Sequence, residues 1–379
     1  MKLRSIELFE VRIPLTVNFQ HASADRASTE TVLVKAMDEL GNIGWGEGCP
    51  RQYVTNESIQ SCKRFFNEYK TQIIVINSVE KLKNWILTHD TEINLNPAAF
   101  CAVEMALLDL MCKSHCCSIE SLLKLPKLDT SSIYSGVIGT KSTRLFSELV
   151  KQYQVMGVEQ LKVKLTGDYS IDSANLNILR KNFGDMGQIR FDANNLWRSA
   201  PQVDHYLTRL KLENPLLEEP LGVFEIDECR ELCKVTERRI ILDESVTCPS
   251  HISALQYDPS NWIINIRVSK MGGIIRSLEI ARSAQEHGIS LIVGAQVGET
   301  SLLTRAGLVI ASTFRSQIVA QEGAFGCYLL THDIHREAIT FGESGRLNYS
   351  SIPKFGISHS DKMTKMSSEF QKKLISLSC

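Results

Sequence analysis

Three acidic residues recur at nearly equal intervals, and each ends a short apolar run. Asp192 stands in Arg-Phe-Asp-Ala-Asn, Glu218 in Leu-Leu-Glu-Glu-Pro and Asp243 in Ile-Leu-Asp-Glu-Ser, 26 and 25 residues apart. That interval is one strand plus one helix. If such strands close into a barrel, their C-terminal ends meet at one mouth, where active sites are built. Three carboxylates converging there repel one another, and a hard divalent cation is the natural counter-charge. An all-oxygen set favours Mg²⁺ over zinc or copper. A single Asp at a strand end is also a common cap for the next helix. Three at one period, each ending an apolar run, are better explained by a metal.

A second group is basic. In Gln160-Leu161-Lys162-Val163-Lys164-Leu165 the period of two puts both lysines on one side and the apolar residues on the other. In a barrel the apolar set packs outward on helices, so Lys162 and Lys164 point in. Two buried ammonium groups are costly unless they pair with acids or do chemistry. Each disfavours the other's charge, as does a nearby cation, which brings a lysine toward the range of a general base. The plain structural alternative is a pair of salt-bridge lysines. Farther on, Arg267 follows Asp243 by 24 residues, and Lys270 precedes the turn pair Gly272-Gly273.

The elements that must position these residues are legible from about residue 130 onward. Short apolar runs alternate with helical stretches: 132–138, 160–165, 189–192, 216–219, 240–243, 262–268, 290–293 and 318–320. Eight such runs imply a closed parallel sheet. A doubly wound open sheet is the other arrangement, but no Gly-rich nucleotide fingerprint follows any run. Before this, residues 3–15 and 30–37 alternate as strands, 39–42 is a turn, and helical patterns fall near 56–71, 79–89 and 97–113. The polar stretch 16–28 reads as a lid or a long loop. The expected organisation is an α/β fold: a (β/α)7β TIM-like barrel over 126–334 with an α+β capping domain over 1–125. The segment 335–379, ending in a basic amphipathic helix, is expected to complete the capping domain.

Composition removes several classes of function. Lys plus Arg is 42 and Asp plus Glu is 43, so a net charge of −1 gives no electrostatic case for nucleic acid or an anionic membrane. No apolar run approaches the ~18 residues of a membrane span, and charges interrupt the N-terminus where a secretory signal would need none. An odd count of 11 cysteines fits reduced thiols and a cytoplasmic location rather than a disulfide framework. Cys112, His115, Cys116 and Cys117 match no standard zinc spacing and read as a thiol-rich helix end.

The Lys-x-Lys strand, Asp-x-Asn, Glu-Glu-Pro, Asp-Glu-Ser and Lys-x-Gly-Gly, in this order, resemble the enolase superfamily, muconate-lactonizing subgroup (mandelate racemase/muconate lactonizing enzyme-like). The resemblance covers nearly the whole chain, including Gly44-Trp45-Gly46-Glu47 and Ala102-Val103-Glu104-Met105-Ala106-Leu107-Leu108-Asp109 in the capping domain. It implies a Mg²⁺ that stabilises the enediolate made by removing a proton α to a carboxylate. Lys164 would be the base on one face, and Lys162 would stabilise the substrate carboxylate or enolate. Capping segments near 16–28 and 49–55 would close over the substrate.

The chain departs from that pattern in three places. Arg267 stands where the subgroup usually has a second lysine. Arginine stays protonated, with a pKa above ~12, about five units and ~7 kcal/mol from what a neutral-pH base wants. Dipeptide epimerases of the family carry Asp-x-Asp on the last strand, whereas Ala320-Gln321-Glu322-Gly323 has one acid. The stretch Gly294–Glu299 has no histidine, and His287 reads as structural.

The expected activity is therefore α-proton abstraction through an enediolate, in an isomerase of the cycloisomerase or racemase/epimerase type. The alternatives are a one-base lyase (an acid-sugar or hydroxy-acid dehydratase, or an o-succinylbenzoate synthase-like elimination) and a catalytically retired metal-binding barrel. Asn194, Lys270, Gln296, Glu299, Ser301 and Glu322 are the expected substrate contacts, the partner is a small carboxylate, and a homo-oligomer is the prior.

Overall fold

Alternating apolar residues at both ends of the Glu39–Asn42 turn make the N-terminal unit a sheet. In this computed structural model β1 (Leu3–His21), β2 (Ala24–Asp38) and β3 (Ile43–Gly48) pair antiparallel in that order. The structure describes residues 1–21, 24–184, 189–213, 215–335, 337–347, 349, 352–354 and 356–358, without the side chains of 17–26 and 327. The stretch 16–28, read as loop or lid, carries the outer ends of β1 and β2. After a register shift beyond Pro14 the ladder runs on through Phe19 opposite Arg26 and His21 opposite Ala24. A ladder uses only backbone donors and acceptors, so a polar run does not prevent it.

Helix Pro97–Ser114 lies across this sheet with every residue from Pro97 to Cys112 buried. The Gly-Trp-Gly-Glu motif explains how close it comes. A Cβ on Gly44, Gly46 or Gly48 would overlap the backbone carbonyl of Ala106, Ala102 or Ala98 respectively. Glycine at alternate positions of β3 is what lets the helix seat there.

The second sheet has eight parallel strands: β4 (Gly136–Ile138), β5 (Leu161–Lys164), β6 (Ile189–Asp192), β7 (Leu216–Glu218), β8 (Ile240–Leu242), β9 (Trp262–Ile266), β10 (Ser290–Val293) and β11 (Ile318–Gln321). They neighbour one another in chain order, and the ring is closed beside β4 by the Ser135 N–H donating to Gln321 O at 2.8 Å. All eight expected strands are present, with several ends trimmed by one to four residues. The fold is a TIM-like barrel with a separate antiparallel sheet. Inside the barrel Ile241, Ile263, Ile292 and Ala320, with Leu216 against them, form an apolar floor separate from the main core.

Acids of the first unit cap helices of the second. Both oxygens of Glu104 accept backbone N–H groups of Ile274 and Ile275, each at 2.7 Å, at the start of helix Ile274–Glu286. Glu47 accepts from the hydroxyl and the N–H of Thr300, before helix Ser301–Thr313. The segment after 335 divides. Phe341 and Leu347 bridge to each other, and Arg346 bridges to Ile133 beside the barrel, because the Phe341 ring packs among Phe325 and Tyr328. Among the described residues of this segment, 356–358 reach helix Pro97–Ser114, where the Ile357 and Ser358 N–H groups donate to Asp109. The expected basic helix lies beyond residue 358, outside the described residues.

Candidate active site

Strand register brings the predicted residues together. Lys164 is paired with Asp192, and Asp192 with Glu218, across three adjacent strands. Above the apolar floor lies a charged layer, and it is closed on itself. Lys162 Nζ donates to Glu218 at 2.8 Å and to Glu322 at 3.0 Å, with Asp192 at 3.5 Å. Arg190 donates to the other oxygen of Glu322 at 3.0 Å, and Asn265 Nδ2 donates to Glu218 at 3.0 Å. Arg190 and Asn265 were not singled out from the sequence. The same alternation exposes them: each precedes an inward residue, Asp192 or Arg267, by two.

The upper layer faces the cavity. Lys164 Nζ donates to Asn194 Oδ1 at 2.9 Å and lies 3.5 Å from Asp192. The Arg267 guanidinium lies against Asp243, donates to Gln296 Oε1 at 2.9 Å and stands 3.8 Å from Glu218. The expectation that both lysines would be depressed holds for one. Burial, then the charges of Lys162 and Arg267, lowers the Lys164 pKa against the pull of Asp192. Burial also opposes charge on Lys162, but Glu218, Glu322 and Asp192 outweigh it and raise its pKa. Asp192, despite burial, is held well below the usual carboxylate range by Lys164 and Lys162.

The cavity encloses about 440 Å³ and is lined by Lys162, Lys164, Asp192, Asn194, Arg267, Gln296 and Glu322, together with Glu244 and Tyr53. Tyr53 comes from the capping segment 49–55. The other expected contacts lie off its wall. Lys270 is fully buried and donates to Asp243 Oδ1 and to Asn265 O, each at 2.8 Å. A short helical turn at Val268–Met271 folds it back under the strand end rather than continuing the alternation. Glu299 accepts from the Gln296 N–H at 2.7 Å, and Ser301 bonds Asp333 and the Ile339 N–H. These three support neighbouring backbone. Glu219, also unflagged, accepts from the Asp243 and Ser245 N–H groups, both at 2.7 Å, and orients that loop.

The donor chemistry suits Mg²⁺. Three carboxylates stand at neighbouring strand ends, and Glu218 Oε2 is buried with no hydrogen-bond partner. Among the described residues no three acids, thiols or imidazoles close around a single point as a ready-made metal group. The reason is visible: Asp243 is held by Arg267 and Lys270, and Glu218 Oε1 by Lys162 and Asn265.

Residues 145–361 match the family described as enolase C-terminal domain-like, and residues 4–124 match the mandelate racemase / muconate lactonizing enzyme N-terminal domain. The chain belongs to this mandelate racemase/muconate lactonizing enzyme family of the enolase superfamily. It is 26% identical over 368 residues to an L-Lys-D/L-Arg epimerase of Methylococcus capsulatus, covering 95% of this chain and 100% of that one. It is also 26% identical over 349 residues to an L-Ala-D/L-Glu epimerase of Bacillus subtilis, covering 91% and 93%. The structure of a dipeptide epimerase from Methylococcus capsulatus complexed with Mg and the dipeptide L-Arg-D-Lys superposes with a TM-score of 0.81 at 25% identity, covering 94% and 99%. These relatives are epimerases rather than cycloisomerases.

Proposed function

We propose that this protein is a Mg²⁺-dependent isomerase that removes the proton α to a substrate carboxylate, with Lys164 as the base. The observation that carries this reading is the split between two lysines on one strand. Lys162 is locked by three acids, whereas Lys164 faces the cavity with its ammonium disfavoured by burial and by two neighbouring cations. Asp192, Glu218 and Asp243 are the residues to hold Mg²⁺, which when bound would stabilise the negative charge that develops on the substrate carboxylate.

The chain's own residues do the rest. Lys164 Nζ, positioned by Asn194 Oδ1, takes the α-proton. Handing it back to the same face only restores the substrate. The isomerisation this one base supports is therefore one in which the enediolate collapses by breaking a bond at the neighbouring carbon, with Lys164 returning the proton in the reverse, bond-forming direction. Lys162 stays protonated and lends a fixed positive charge to the enediolate oxygen. Arg267 supplies a second fixed charge, oriented by Gln296. Tyr53 and the capping segment exclude water. The lysines, acids and Arg267 come from the barrel proposed over 126–334, and Tyr53 from the capping unit proposed over 1–125.

Arg267 also favours a second reading. A guanidinium opposite the base suits an anionic leaving group, as in one-base elimination. Proton NMR in D₂O over a panel of carboxylates, with Lys164→Ala as control, tests both. Exchange at the α-carbon that persists in the variant would overturn the role of Lys164. Loss of water or of another group would select the lyase. Mg²⁺ binding without exchange across a broad panel would favour a retired binding protein.

A further inference from the structure

The cavity does not stop at the charged residues. Helix Thr143–Val155, which follows β4, carries two apolar stripes. One, Phe146, Val150 and Tyr153, is buried in the core. The other, Leu145 and Leu149 continued by Met156 just past the helix end, lines the cavity, and Leu145 is left 40% exposed. The same cavity has an aromatic wall. The Phe341 ring lies 5.6 Å from those of Phe325 and Tyr328, all three line the same cavity, and Tyr328 is 47% exposed. Two apolar walls of one cavity that also holds Lys164 are surface that an apolar group would remove from water.

The acids of the cavity wall are Asp192, Glu244 and Glu322, and none belongs to the helix or to the segment 325–341. Glu322 has both oxygens engaged, by Lys162 and Arg190. Among the described residues lining the cavity, no acid stands on either wall to pair with a cationic arm, which would lose its hydration there. We infer that the substrate carries an uncharged apolar arm, aromatic or branched alkyl, seated between Leu145, Leu149 and Met156 on one side and Phe325, Tyr328 and Phe341 on the other. This separates the chain from relatives named for lysine and arginine. It rests on the reading above only for where the carboxylate head sits.

Calorimetric binding to the Mg²⁺-loaded chain tests it. One series is α-acetamido acids with methyl, isobutyl, benzyl and 4-aminobutyl side chains, and a second carries the same arms on the acyl group of N-acylalanine. In at least one series the isobutyl or benzyl arm is expected to bind about tenfold or more tighter than methyl. The aminobutyl arm is expected to bind no tighter than methyl. Leu149→Asp should erase the advantage and Leu149→Met keep it, with both variants checked for an unchanged melting temperature. Equal binding of all arms, preference for the aminobutyl arm, or no binding by any apolar-armed acid overturns the inference. Deuterium exchange on the same compounds is read separately. Arm-selective binding without exchange leaves the arm pocket standing and defeats the chemistry assigned to Lys164. Exchange confined to methyl or aminobutyl acids does the reverse.

Discussion

The guanidinium of Arg267 lies against the carboxylate of Asp243, on the neighbouring strand of the barrel mouth. A residue proposed to hold the metal is thus already held by a cation of the protein. On that proposal Mg²⁺ would compete with the guanidinium for Asp243. Arg267→Met is expected to bind Mg²⁺ about tenfold tighter than wild type in calorimetric titration. Asp192→Asn, Glu218→Gln and Asp243→Asn should each weaken binding. In wild type, Mg²⁺ at a hundred times its Kd should stabilise the fold by about 2.7 kcal/mol, and chelation should reverse this.

On the proposed one-base mechanism the same position would control stereochemistry. With a base on one face only, α-deuterium exchange is expected from a single enantiomer of a chiral substrate. Arg267→Lys places a group that can lose its proton on the opposite face and should add exchange from the other enantiomer. Equal exchange of both enantiomers by wild type would contradict the one-base assignment.

The two lysines should fail differently. Lys164→Ala is expected to reduce exchange by about 10²–10⁴-fold, the usual contribution of a positioned base, with little change in stability. Lys162→Ala leaves Glu218 and Glu322 without their shared cation and should cost about 3–5 kcal/mol in urea unfolding, besides lowering activity.

Buried acids of the first unit that cap helices, Glu104 and Glu47 across to the second unit and Glu57 within the first, set a pH dependence of stability. Burial pushes Glu104 up to about 8, and Glu47 and Glu57 up to about 7, even though each accepts backbone N–H groups. Their folded values lie above the unfolded value, so the folded state binds the extra protons. The contribution is fully present below about pH 4.5, and it is lost as pH rises through 7 and 8. Urea midpoints should fall between pH 5 and pH 8.5, and Glu104→Gln should flatten part of that slope.

The close seat of helix Pro97–Ser114 on β3 gives a purely steric test. Gly46→Ala puts a methyl group into the backbone of Ala102, which has no room to move within a buried helix. The expected loss is about 3 kcal/mol, or failure to fold, read by expression and thermal melting. The exposed Gly41, whose Cβ would meet nothing, serves as a control for alanine at a solvent-facing glycine of positive φ.

Much of the barrel and its mouth was legible from residue order, because the rules involved are local. A period of about 25 residues counts strand-helix units, and a period of two tells which side chains share a face. Those two rules place Asp192, Glu218, Lys162, Lys164 and Arg267 inside one barrel, and they would have placed Arg190 and Asn265 there too. They fail where the chain leaves regular structure. Lys270 reads as a turn residue, but a single helical turn brings it under Asp243. The stretch 16–28 reads as a loop, yet its backbone continues the hairpin.

Pairing was decided only by closure of the barrel. Lys162 and Lys164 are equivalent in sequence pattern. One is locked and one is poised because Glu322 arrives from the last strand to join Glu218 against the deeper lysine. The apolar wall of the cavity likewise joins residues 145–156 to residues 325–341, which become neighbours only when β11 returns beside β4. Charge partners and cavity walls depend on distances across the ring, and no local periodicity encodes those.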